Sequence, residues 1–116
     1  LRCLSGTRET SRILRSLIST KRVALGGIFR AAARDEKPRV RRAALCFLDA
    51  ALPLLRVPFG VSEEELFEEF ELEVLVERSC DVSMVVRLAS ISSLALLLRT
   101  CPQQRVCGLW VRGVLP

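Results

Sequence analysis

At 116 residues the chain can form one small domain; half of its residues are apolar, only 5% are aromatic, and its formal charge is +5. It contains no His and no Tyr, which removes the commonest general base and the commonest metal ligand together. No stretch reaches the roughly 18 uninterrupted apolar residues of a membrane span, and the arginine-bearing N-terminus lacks the apolar core and cleavage site of a signal peptide.

Leu, Val and Ala carry the apolar content, which suits helix packed on helix better than a β-sandwich. Residues 1–19 read as the end of a preceding repeat helix, recognisable from Glu9 to Ile18. A helix is expected from Thr20 to Ala33, with Ala24, Leu25, Ile28, Phe29 and Ala32 inward. Gly26 and Gly27 are its weak point, set to kink it or to admit a neighbour. The following helix opens on Pro38, whose missing N–H costs nothing at the first helical position. Its buried stripe is read as Val40, Ala43, Ala44, Phe47, Leu48, Ala51 and Leu52, with Arg39, Arg42 and Asp49 on the opposite face.

These two helices form a repeat over 20–55, and Pro53, Pro58 and Gly60 break the chain into a connector at 56–61. A second repeat spans 62–101. Its first helix, Ser62 to Ser79, opens on a Ser62/Glu65 capping box, and Glu63, Glu64 and Glu65 favour the positive end of the helix dipole. Leu66, Phe67, Phe70 and Val74 form its inner stripe. Ser83 caps the next helix, which is apolar almost all round (Val85, Val86, Leu88, Ile91, Leu94, Leu96, Leu97, Leu98) and so asks for neighbours on several sides. Residues 102–116 begin a further repeat, helical from Val106 to Leu115. A chain that opens on Leu1 and closes on Pro116 within an apolar run is expected to be a segment of a longer repeat protein.

The stretch from Asp35 to Leu48 matches that from Asp81 to Leu94 at an offset of 46 residues. Asp35 pairs with Asp81, Val40 with Val86, Arg41 with Arg87, Ala43 with Ala89 and Leu48 with Leu94. A period of about 40–47 residues built from helix pairs is that of HEAT and armadillo arrays. The pattern D-x-x-P-x-V-R-x-x-A-x-x-x-L, complete in the first copy and lacking the Pro in the second, where Ser90 stands at the Ala position, resembles HEAT repeats. The expected fold is therefore an all-α, HEAT-repeat α-solenoid of about two helical-hairpin repeats with partial flanking helices. The resemblance implies that Asp35, Arg41, Asp81 and Arg87 form an inter-repeat polar ladder.

No catalytic chemistry is expected. Glu65, Glu68 and Glu69 share a helix face but no His or Asp converges on them, so they read as a solvated surface. Ser90, Ser92 and Ser93 have no base to activate them, and no glycine-rich phosphate loop is present. No cofactor, metal or small-molecule substrate is implied. The five cysteines (Cys3, Cys46, Cys80, Cys101, Cys107) form no C-x-x-C pair and are expected to be free thiols in a reducing compartment.

Charge is uneven: residues 1–56 carry a net +9 and residues 57–116 a net −4. The basic run Arg30, Arg34, Lys37, Arg39, Arg42 brackets one inter-helix turn, and it can meet either nucleic-acid backbone or an acidic partner without reading sequence. A solvated face is the competing reading. Trp110 reads as core of the next helix.

A closer resemblance lies in the C-terminal part. The run Cys80-Asp-Val-Ser-Met-Val-Val-Arg-Leu-Ala-Ser-Ile-Ser-Ser-Leu, then Cys101-Pro and Leu109-Trp-Val-Arg-Gly-Val-Leu-Pro116, is similar to the D-type HEAT subunit of condensin II. That resemblance implies a non-ATPase regulatory subunit of mitotic chromosome condensation that binds the kleisin chain and DNA beside the SMC subunits, in the nucleus, with the cytoplasm as the alternative. The rival class is a protein-only scaffold or transport adaptor, such as a phosphatase scaffold or a karyopherin-like array. Fold alone does not separate these.

Overall fold

A computed structural model describes residues 8–57, 59–101 and 104–114. Cys3, Pro58, Pro102 and the Leu115–Pro116 end of the family-like tail lie outside the described residues. Six helices follow in order: α1 (Arg8–Ala33), α2 (Pro38–Arg56), α3 (Glu63–Phe70), α4 (Val74–Arg78), α5 (Met84–Thr100) and α6 (Gln104–Val114). Among the described residues there is no strand, and no helix is long and apolar enough to cross a membrane.

The helices stack in two layers. One contains α1, α3, α4 and α6; the other contains α2 and α5, each resting on members of the first. The core runs continuously through both, from Ile18, Leu25 and Phe29 through Leu45, Leu48, Leu52 and Phe70 to Leu94, Leu97 and Leu109. The rings of Phe29 and Phe70 meet at 5.6 Å and 49°, tying α1 to α3. Burying one such large apolar side chain contributes about 1.5–3 kcal/mol.

The expected break between residues 1–19 and the next helix appears as a kink, not a gap. Lys21 leaves helical geometry (φ −131°, ψ 27°), and just before it the Thr20 hydroxyl donates to the Ser16 carbonyl, a back-bond that bends helices. Beyond the kink, Leu25, Phe29 and Ala33 are buried, whereas Ala24 and Ile28 face solvent, contrary to expectation. Gly26 does admit a neighbour: a Cβ there would lie 2.5 Å from the carbonyl oxygen of Glu69.

In α2 the buried stripe is Arg41, Ala44, Leu45, Leu48, Ala51, Leu52 and Leu55. Val40 and Phe47 are only half-buried and Ala43 is exposed, so the stripe sits about one residue round from the one read in the sequence. The helix also passes through Pro53 to Arg56, three residues beyond the expected connector proline. Pro53 removes a single backbone bond, and the helix end is closed by Val57 N–H to Pro53 and Val61 N–H to Leu55. Gly60 then turns the chain at φ +59°, where a side chain would be strained.

The single helix expected from Ser62 to Ser79 is two. The capping box is formed as read: Glu65 N–H donates to Ser62 Oγ at 3.2 Å and Ser62 N–H to Glu65 Oε1 at 3.0 Å. At Glu71, however, the backbone enters the left-handed region (φ 46°, ψ 62°), ending α3 and restarting as α4. Leu66, Phe67, Phe70 and Val74 are all buried, as expected.

The expectation of free cysteines is corrected at one position. Cys80, Cys101 and Cys107 are free thiols, but Cys46 is disulfide-bonded. Spacing alone says nothing of which thiols approach, because that proximity is set by tertiary packing. Cys101 is buried, and that burial pushes its thiol pKa up.

Candidate binding surface

A recurring polar arrangement is built on the two turns that open α2 and α5. Both cap residues, Lys37 and Ser83, hold the same extended backbone (φ −88°, ψ 124°). Asp35 Oδ1 accepts from the Lys37 N–H at 2.9 Å, and Asp81 Oδ1 accepts from the Ser83 N–H at 2.9 Å. Arg41 Nη1 donates to the carbonyls of Asp35 and Glu36, while Arg87 Nη1 donates to those of Asp81 and Val82. Each of these contacts maps onto its counterpart at the 46-residue offset seen in the sequence.

The two turns are joined. Arg41 Nε and Nη2 donate to Asp81 Oδ2 and Oδ1, both at 2.8 Å, in a bidentate pair that is almost wholly buried. Arg78 Nη1 adds a second donor to Asp81 Oδ2 at 3.0 Å. These bonds, Arg41's foremost, hold the Asp81 carboxyl below its ordinary pKa against the opposing cost of burial. The same pairing raises the pKa of Arg41. Of the four ladder residues, then, Arg41 and Asp81 meet each other, while Asp35 and Arg87 each organise only their own turn.

A second link between α2 and α5 is the Ser93 hydroxyl, which donates to Asp49 Oδ1 at 2.7 Å. Asp49, expected on the outer face, is half-buried, and burial raises its pKa. Ser90 donates to the Leu75 carbonyl of α4 at 2.5 Å.

The basic run divides. Arg30 reaches Glu71 at 3.4 Å and also donates to the Glu69 carbonyl at the C-terminal end of α3. Arg34 reaches Glu71 at 3.2 Å and Glu77 at 3.6 Å. Lys37 and Arg39 are exposed, with no side-chain ion pair among the described residues. Arg42 is half-buried, its Nε without a partner. Lys37 and Arg39 therefore remain available at the turn, and Arg42 beside them is partly exposed with its Nε buried.

Of the three glutamates read as a solvated surface, Glu68 is exposed, while Glu65 and Glu69 are half-buried and set against α1. Arg22 is shared by Glu65 at 3.2 Å and Glu69 at 3.1 Å, and with Arg30 and Arg34 it forms a basic row along α1 that faces the acids of α3 and α4. Arg105 lies over the Phe67 ring at 3.9 Å, and Trp110 packs against the core. The sequence signal for this acid–base match is the opposite charge of the two halves, which a linear reading assigns to outward faces.

No family model matches this chain, and no curated protein and no solved structure matches it either.

Proposed function

We propose that the chain is a non-catalytic HEAT-repeat scaffold: the hairpin α1–α2, the hairpin α3/α4–α5, and α6 as the first helix of a third unit. The observation that carries this reading is the atom-by-atom recurrence of the Asp35–Arg41 turn at Asp81–Arg87. A repeated sequence motif with a repeated hydrogen-bond pattern is what a stacked array requires. In this reading the Arg41–Asp81 pair is a rung between successive repeats.

Within that class, the resemblance of residues 80–116 to the D-type HEAT subunit of condensin II supports a regulatory role in chromosome condensation. The chain then holds a kleisin segment beside the SMC subunits and touches DNA backbone with Lys37, Arg39 and Arg42. A second reading, the protein-only scaffold or transport adaptor, is favoured by one observation: Arg30 and Arg34 are occupied by Glu71 and Glu77, which reduces the charge free for phosphate.

Charge reversal of Lys37, Arg39 and Arg42 to Glu separates the two. The condensin reading expects duplex DNA to bind at low salt and the triple variant to lose that binding with helicity intact. It also expects a kleisin fragment to co-purify. Absence of both DNA binding and kleisin capture sinks that reading and leaves the protein-only scaffold.

A further inference from the structure

The recurrence of the Asp35 turn at Asp81 also sets which positions of the two copies point the same way. Lys37 and Ser83 share one backbone geometry, and the bidentate Arg41–Asp81 pair holds the two turns side by side. At the 46-residue offset, Glu36, Pro38, Arg39 and Arg42 correspond to Val82, Met84, Val85 and Leu88. The first copy displays charge, with Lys37 among it. The second is wholly apolar: Val82 is 92% exposed, Met84 63%, Val85 52% and Leu88 61%. One edge of the molecule therefore carries cations on one copy and protruding apolar side chains on the next.

Stacking does not account for this edge. The α5 unit bonds to α2 through Arg41 and Asp49, and that contact leaves Glu36, Pro38 and Arg39 exposed and Arg42 half-buried. A further repeat added to α5 in the same manner leaves Val82, Met84 and Val85 open as well. Clustered exposed apolar side chains mark interaction sites. At more than half exposure these four project from the turn and do not line a groove, so their complement is a deformable apolar medium and not a peptide held in a cleft. The charges beside them give its sign. Lys37 and Arg39 make no side-chain ion pair among the described residues. Asp35 is engaged on its own turn by the Lys37 N–H, which leaves Glu36 as the one exposed acid there.

We propose that this edge docks on an anionic phospholipid surface. Val82, Met84, Val85 and Leu88 enter the boundary between headgroups and acyl chains, while Lys37 and Arg39 reach the headgroup anions. Their aliphatic stems lie along the apolar boundary and their charged heads stay in water. Attachment of this kind draws on apolar burial and charge together, and the edge supplies both. It is a contact on the membrane surface and needs no spanning helix. The proposal goes beyond the scaffold reading. It shares Lys37 and Arg39 with the proposed DNA contact but not the apolar residues, so either can fail alone.

The probes are vesicles of phosphatidylcholine alone and of phosphatidylcholine mixed with phosphatidylserine, sedimented with the whole chain at low salt. The chain is expected to sediment with the mixed vesicles and much less with phosphatidylcholine alone. Val85→Gln combined with Leu88→Gln, at exposed positions where glutamine keeps helix propensity, is expected to lower the partition coefficient by about tenfold or more with circular dichroism unchanged. Lys37→Gln and Arg39→Gln are each expected to lower it by about fivefold. Absence of binding to the mixed vesicles overturns the proposal. Binding that the Val85/Leu88 variant leaves unchanged also overturns it, because charge alone then adsorbs the chain. An affinity for duplex DNA that falls in that variant as much as the vesicle affinity does so too, since the edge is then a nucleic-acid surface. Self-association in sedimentation velocity that the same variant abolishes has the same consequence, because a second copy then covers the edge.

Discussion

Arg41 is only 6% exposed, and its charge is tolerated because every arm is used. Two backbone carbonyls take Nη1, and the Asp81 carboxylate takes Nε and Nη2. Such a pair adds little over an apolar substitute, but removing one member strands the other in a poor solvent. Asp81 carries most of the burden, since it also caps its own turn through Ser83 N–H. Its folded-state pKa is depressed, so its contribution is fully present above the unfolded value of about 3.9 and is lost as pH falls through the lower folded value. Asp81→Ala is expected to cost about 3 kcal/mol near neutrality. In thermal melts run from pH 7 down to pH 3, the gap between wild type and variant should narrow below about pH 4. A gap that stays constant through that range means that the carboxylate charge is not what holds the turn.

At the scale of the helices, the decisive contacts are close approaches that only small residues permit. A Cβ on Gly26 meets the Glu69 carbonyl oxygen at 2.5 Å, and backbone cannot swing aside as a side-chain tip can. At Gly27 the nearest atom is Arg30 Nη2 at 3.7 Å, an ordinary contact. Urea unfolding should therefore split this pair. Gly26→Ala is expected to destabilise by about 1–3 kcal/mol, while Gly27→Ala gains up to about 1 kcal/mol of helix propensity. Equal and stabilising effects at both positions contradict the packing of α1 against α3.

The same elements show what sequence could and could not disclose. Pro38, the Ser62/Glu65 box and the Asp35/Asp81 offset are local or periodic signals, and each formed as read. The register of α2 did not, because apolar residues cover much of its circumference: Val40, Ala43 and Phe47 compete with Leu45 and Leu55 for the inside, and only packing decides. The break at Glu71 carried no glycine or proline to announce it. Glu71 is held at positive φ with its carboxylate against Arg30 and Arg34, partners about forty residues away in the chain.

For the whole molecule, the question is where the +9 of the first half and the −4 of the second go. Read as a string, they suggest that one half can face phosphate or an acidic partner and the other cannot. Folded, α1 lies along α3 and α4, and Arg22, Arg30 and Arg34 are set against Glu65, Glu69, Glu71 and Glu77. These are partly exposed pairs of modest individual worth, and their larger effect is on the external field, since each glutamate cancels a cation that would otherwise attract polyanions. Glu71→Gln combined with Glu77→Gln leaves shape nearly unchanged while removing the acidic partners of Arg34 and of Arg30, which keeps its bond to the Glu69 carbonyl. If Lys37, Arg39 and Arg42 form a DNA contact, the two freed arginines stand beside it and join it. Duplex DNA should then bind the double variant more tightly than wild type at about 50 mM salt, with a log–log salt dependence steeper by roughly 0.9 for each arginine recruited. An unchanged salt slope separates the turn from the α1 row and confines any phosphate contact to Lys37, Arg39 and Arg42. In that case Glu71 and Glu77 serve packing alone, because removing their charge alters nothing that DNA can sense.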